Sequence, residues 1–201
     1  MSGSIAILLK FFFLLTPFFA LSMFLALTQD YSAGEKRRLA LRVVLSASVV
    51  SLVLFYFGNW LFNAFGITLD SFRIGAGALL FLSAVGLVTG NELDSHVSSR
   101  ENASGDIAVV PLAIPVVIGP ATTGALLIMG AETASFAVKL RQTAILLLAM
   151  AALGVMLICG SGIERLIGRR GIIILSKLTG LILSALAAQM IFTGVVNFLH
   201  S

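Results

Sequence analysis

Apolar residues run along the chain in blocks about as long as a membrane is thick, with the polar positions gathered between them. The first block covers residues 5–27 and is followed by the basic segment Glu35-Lys36-Arg37-Arg38. The second covers 39–62, with Arg42 near its start. A link over 63–71 then holds Gly66 and Asp70-Ser71, residue types suited to capping the helix that follows. The third block is 72–89. Residues 90–106 are the longest polar segment, rich in Ser, Asn, Glu and Asp, which predicts an exposed linker. Blocks four, five and six cover 107–129, 142–163 and 172–199, separated by the polar stretches 132–141 and 164–171. About twenty apolar residues is the length a helix needs to cross a core of about 30 Å. Continuous blocks also differ from the alternating pattern of membrane barrel strands. The pattern therefore predicts an all-α polytopic membrane protein with six transmembrane helices.

Composition agrees with that reading. The chain is 59% hydrophobic and 11% charged, with a mean hydropathy of +1.08. Soluble domains carry about a quarter of their residues as charges, so too little polar surface exists here to coat a globule. Block one, with Lys10 near its start, has some features of a signal peptide. Its span length, and the basic stop that replaces a small-residue cleavage site, argue against one. The net charge of +4 is read as basic residues anchoring loops, not as nucleic-acid binding. Loops one, three and five hold Lys36, Arg37, Arg38, Arg42, Arg100, Arg165, Arg169, Arg170 and Lys177, against Lys10, Arg73, Lys139 and Arg141 on the other side. The positive-inside rule then places those loops in the cytoplasm and both termini outside. Cys159 is alone and pairs with nothing in its own chain, and His96 and His200 sit in polar or terminal segments. Neither a metal nor another cofactor is expected.

Residues 110–124 break the helical pattern. They are as apolar as any span, yet hold Pro111, Pro115 and Pro120, three of the chain's four prolines. Proline removes a backbone donor and clashes with the carbonyl one turn back. At membrane depth the freed groups are tolerated only where protein or a water-filled cavity satisfies them. The fourth proline, Pro17, sits in a similar setting in block one. The two halves echo each other. Gly58 to Gly66 precedes block three as Gly160 to Gly168 precedes block six, and a basic residue enters each following block, Arg73 and Lys177. Pro17 to Arg42 is also nearly as long as Pro115 to Arg141. Three spans per half is an odd number, so the second half is expected upside down relative to the first. Residues 1–90 and 107–201 would then be inverted three-helix repeats joined by the cytoplasmic linker 91–106. In secondary transporters built this way, solute sites lie at broken helices in corresponding positions of the two halves.

Pro111-Leu-Ala-Ile-Pro115 followed by Gly119-Pro120, the segment Phe65-Gly-Ile-Thr-Leu-Asp-Ser-Phe-Arg-Ile-Gly-Ala-Gly77, and Leu178-Thr-Gly-Leu-Ile-Leu183 with Gln189 and Gly194 together resemble the MarC family of bacterial and archaeal inner-membrane proteins. The resemblance covers essentially the whole chain. It implies six spans in an inverted three-plus-three repeat, a multi-pass protein of the inner membrane with both termini periplasmic, and helices one and four broken at prolines. Its SnatA-type members are described as transporters of small neutral amino acids such as glycine and alanine. Two positions depart from the family's usual pattern: Thr16-Pro17 stands for Asn-Pro, and Gly119-Pro120-Ala121 for Gly-Pro-Gly.

The main candidates for solute binding are Thr16, Pro17, Ser22, Pro115, Gly119, Pro120, Thr122 and Thr123. Half-helix ends expose backbone groups to a zwitterion, and helix N-termini face its carboxylate. Each threonine alone is more often bonded back to its own helix, so the paired breaks carry the argument as a set. Arg73 is read as reaching to the outer interface with Asp70 as a partner, and Lys177, deeper in its span, as facing protein. Gln189 and Asn197 are polar positions of span six. The glycines at 75, 77, 86 and 90 and the row Gly180, Ser184, Ala188 are read as helix-contact faces. The reading is a secondary transporter of a small neutral amino acid, embedded in lipid, working by alternating access. No nucleotide-binding loop is present, so a gradient is the expected energy source. The alternative is a non-transporting membrane scaffold or partner subunit whose prolines only shape helices. An intramembrane enzyme is disfavoured because no His, Asp or Glu cluster lies in a span.

Overall fold

A computed structural model describes residues 2–90, 116–133 and 135–200. Seven helices make up almost all of it: α1 Ser2–Leu14, α2 Pro17–Leu27, α3 Ala33–Phe65, α4 Leu69–Thr89, α5 Pro120–Glu132, α6 Phe136–Ile158 and α7 Gly160–His200. The described residues contain no strand. Five helices are long and apolar enough to cross a membrane, namely Ser4–Leu27 taken across its break, α3, α4, α6 and α7. Of the fourth expected span, residues 107–115 lie outside the described residues, as do Pro111, Pro115 and the 91–106 linker. Its described part, α5, has 13 residues and is about 20 Å long.

Helix ends differ from those the hydropathy predicts. The basic segment 35–38, expected as a loop, forms the first turns of α3. Ser32 and Glu35 close a capping box: the Ser32 amide donates to Glu35 Oε2 at 2.8 Å and the Glu35 amide to Ser32 Oγ at 3.4 Å. That satisfies donors the first turn would otherwise leave open, so helix begins well before the apolar block. With 33 residues, α3 is about 50 Å long and outreaches the hydrocarbon core. α4 likewise starts earlier than expected. Its cap is Thr68, whose Oγ1 accepts from the Ser71 amide at 3.2 Å, and Asp70 falls inside the first turn. The predicted loop 164–171 is helical and continuous with span six, bending at Gly168, where φ is 72°.

α5 is the buried centre of the bundle. Nine of its 13 residues are buried, and a helix that is apolar all round belongs inside. It runs between α3 and α4. A Cβ on Gly130 would stand 1.8 Å from the Phe55 carbonyl oxygen, and one on Gly58 2.3 Å from that of Leu127. Backbones come this close only where side chains are absent, the usual device for packing helices that gain nothing from excluding water. α4 and α7 lie antiparallel along their length, with Gly180 against Ala84, Gly77 against Ala187 and Ile191, and Gly194 against Asp70. The face of α7 turned inward is Gly180, Leu183, Ala187 and Gly194. Ser184, expected on it, instead donates to its own helix at the Leu181 carbonyl, 2.7 Å away. α3 meets α6 through Tyr56 and Thr143, whose hydroxyls are 3.0 Å apart. The outer surface carries exposed side chains such as Leu45 (65%), Leu82 (66%) and Phe192 (70%), a band suited to lipid.

The α3–α5 contact leads to a stability prediction. Gly130→Ala forces its methyl into the Phe55 carbonyl and should destabilise the protein by about 1–3 kcal/mol. Gly34→Ala, in open space on the first turn of α3, should be neutral or mildly stabilising. Thermal unfolding of both variants in detergent micelles measures the difference.

Candidate functional site

The first break follows from Pro17. α1 ends at Leu14, Thr16 turns the chain with φ 46° and ψ 55°, and Pro17 begins α2 in its first turn. Thr16 is the sole described non-glycine residue with positive φ, and a β-branched side chain is poorly suited to that region. The second break follows the same logic. Gly119 is extended at φ −79° and ψ 177°, and Pro120 begins α5 in its first turn, where a missing N–H does least harm.

The two breaks satisfy each other. Thr122 Oγ1, at the start of α5, donates to the Leu14 carbonyl at 3.0 Å. Thr16 Oγ1 donates to the Val116 carbonyl at 3.4 Å. Each threonine thus serves a carbonyl on the far side of the opposite break. Thr122 is 4% exposed, so its hydrogen bond to the Leu14 carbonyl is shielded from solvent. Leaving such a group unsatisfied costs about 1–3 kcal/mol.

Between the breaks lies a cavity of about 80 Å³, room for several waters or a small solute. Thr16, Phe19 and Leu14 line it from the first break, and Gly119, Pro120 and Thr122 from the second; Leu80 and Ser83 of α4 and Leu183 of α7 close it. Among the described residues, no charged side chain lines it. The N-terminal ends of α2 and α5 border it, each carrying about half a positive charge from its aligned peptides. Hydroxyls, backbone and helix ends can hold a small neutral or zwitterionic molecule.

The remaining candidates are spread over the bundle. Pro17 is buried behind Thr16. Thr123 faces away from the cavity into an open recess of about 490 Å³ with Pro120, Ser71 and Gly75. Ser22 lines a separate cavity at the other end of α2. Pro115 lies outside the described residues. Arg73 is 14% exposed and ties α4 to α5: it pairs with Asp70 of its own helix and donates from Nη2 to Glu132 Oε1 at 2.7 Å. Asn197 of α7 donates to Asp70 at 3.2 Å. Asp70 as a partner was legible from its spacing; Glu132, far along the chain, was not. Lys177 corrects an expectation: it does not face protein but is exposed, at the rim of a narrow crevice beside Gly86 and Gly90. Helical rotation places it off the inward row that Thr179, Gly180 and Leu183 occupy. Gln189 is exposed as well, six positions past the cavity residue Leu183. Ser83 was missed by sequence reasoning. Its signal was a hydroxyl in the middle of an apolar block.

The two departures from the MarC pattern have a geometric reading. Asn tolerates the left-handed conformation that Thr16 occupies, so the usual residue would fit the turn with less strain. Ala121 is buried in the first turn of α5 without positive φ, so that position needs no glycine for its backbone.

An all-helical bundle of apolar spans, with the break between α1 and α2 and the start of α5 meeting in its interior, defines a polytopic integral membrane protein. The chain belongs to the MarC family: the description "MarC family integral membrane protein" matches it over residues 1–199. It is similar to a UPF0056 membrane protein of Methanocaldococcus jannaschii, 34% identical over 188 residues, covering 92% of this chain and 91% of that one. A second from the same organism is 33% identical over 182 residues, covering 88% and 79%. One from Aquifex aeolicus is 28% identical over 190 residues, covering 92% and 89%. No solved structure matches the chain. The names of these relatives place them in a membrane and give no activity.

The crossed threonines can be separated by mutation. Thr122→Val keeps the shape and removes the donor to Leu14, and should cost about 1–3 kcal/mol. Thr16→Asn should be neutral or stabilising by up to about 1 kcal/mol as left-handed strain is relieved. Unfolding midpoints in detergent read both; a Thr122→Val protein as stable as wild type would show the Leu14 carbonyl to have another partner.

Proposed function

We propose that the protein is a gradient-driven transporter of a small neutral amino acid, of glycine or alanine size, working by alternating access at the paired breaks. The observation that carries this is the uncharged cavity of about 80 Å³ enclosed between two interrupted helices. Its volume restricts the solute to a few heavy atoms. Its lining of hydroxyls, backbone and helix N-termini suits a zwitterion, since the helix ends favour a carboxylate.

An inverted repeat, which the reading calls for, is supported by the pairing of helices. α2 packs on α7 as α5 packs on α4, while α3 packs on α6 and α4 on α7. Pro17 and Pro120 each open the helix after a break. Their separation in sequence falls between that of Gly58 and Gly160 and that of Arg73 and Lys177. By position, Pro120 rather than Pro115 is the counterpart of Pro17. In this reading residues 1–90 and 107–201 are the two repeats, and transport exchanges their roles. The solute path leads from the Thr123 recess at one end, through the closed centre, to the Ser22 cavity at the other. The basic starts of α3 and α7 favour a cytoplasmic Ser22 end and, with it, termini on the other face of the membrane.

Purified protein in liposomes should take up labelled glycine or alanine under a proton or sodium gradient, above empty vesicles. Ser83→Leu fills the cavity with an apolar side chain and should abolish uptake while leaving insertion and the unfolding midpoint near wild type. Absence of uptake by the wild-type chain under either gradient would favour the scaffold alternative.

A further inference from the structure

At the end of the bundle where α2 stops and α3 and α7 begin lies a cavity of about 320 Å³, separate from the one between the breaks. Ser22 and Gln29 line it from α2 and the turn after it, Lys36 from α3, and Glu164 and Arg169 from α7. It is thus charged where the central cavity is neutral. The side chains of Gln29, Lys36, Glu164 and Arg169 make no hydrogen bond or ion pair with the described residues. By contrast, the charges at the opposite end, Arg73, Asp70 and Glu132, are paired with one another. Two cations and one anion that border a common space without pairing suit a ligand that carries both signs. Ser22 lies one helical turn from Phe19, which lines the central cavity, so the two spaces are consecutive along one face of α2.

We propose that this cavity binds the zwitterionic head of an α-amino acid: Lys36 and Arg169 take the carboxylate, Glu164 takes the ammonium, and Gln29 and Ser22 supply neutral hydrogen bonds. It is a second site, distinct from the breaks, that gathers solute at this end before it passes Phe19. The identity of the solute rests on the transport reading. A phosphate-bearing lipid headgroup is the competing occupant, and Glu164 disfavours it, because a carboxylate beside phosphate oxygens is repelled.

The test uses the full-length chain with Cys159→Ser and Ala26→Cys, a single thiol on the cavity wall, in nanodiscs of phosphatidylcholine. Glycine should slow maleimide labelling of that thiol, and acetate or methylamine, each with one charge, should do so far less. Glu164→Gln should weaken the protection roughly tenfold in glycine concentration, the effect of losing one charge-assisted hydrogen bond, and Lys36→Gln with Arg169→Gln, which removes two, by more than that. In liposomes the same substitutions, in the otherwise native chain, should raise the KM for solute presented at this end by a similar factor and leave the KM from the other end unchanged. Labelling that glycine does not slow, or slows equally in Glu164→Gln, overturns the site. So does labelling slowed by phosphatidylglycerol and not by glycine, which would make the cavity a headgroup site. Protection without any uptake would overturn the transport reading and leave this site standing; uptake without protection or a one-sided KM effect would do the reverse.

Discussion

Every backbone polar group inside a membrane needs a partner from the protein, and most of this structure follows from how two broken helices meet that demand. Pro17 and Pro120 each prevent a helix from continuing, which frees carbonyls in the turn before. Thr16 and Thr122 supply the missing donors, each to a carbonyl at the other break. Neither interruption is self-sufficient, so the two must lie side by side. That in turn forces α5 into the middle of the bundle. Gly58 and Gly130 let it approach α3 closely enough for the breaks to meet. The cavity lies at the same place, lined by residues of both breaks.

Charge is sorted toward the two ends, and in different ways. Arg73, Asp70, Glu132 and Asn197 tie α4, α5 and α7 together where the chain terminus of α7 lies. A residue in the first turn of α4 has only a short reach to the interface, so its charge is kept at a modest cost. At the opposite end, Lys36, Glu164 and Arg169 border open space without pairing among the described residues. The recess at the clasped end is walled largely by apolar side chains, among them Ile67, Phe72 and Leu79.

Much of this was legible in the chain itself. Apolar blocks of span length fix an all-helical membrane protein, because a chain of this hydropathy can satisfy its backbone in lipid only through helices. The prolines marked where helices stop, since a missing donor is a property of the residue. Thr16, Gly119, Pro120 and Thr122 were all named from sequence and do come together around one cavity. Where the helices begin was less legible. A capping box at Ser32 and Glu35 carries α3 beyond its apolar block, and hydropathy does not distinguish a solvated helical turn from a loop.

What only the tertiary structure decided is which polar group serves which. The pairing of Thr122 with Leu14, of Thr16 with Val116 and of Arg73 with Glu132 joins positions far apart in the chain, and local spacing carries no record of them. The same holds for direction. Ser22 and Thr123 are as hydroxyl-bearing as Thr16 and Thr122, yet rotation of a helix by a few residues points them into other spaces, and it leaves Lys177 and Gln189 outside the bundle's interior. Residue type and order determine that a helix breaks; the packing of its neighbours determines what the break faces.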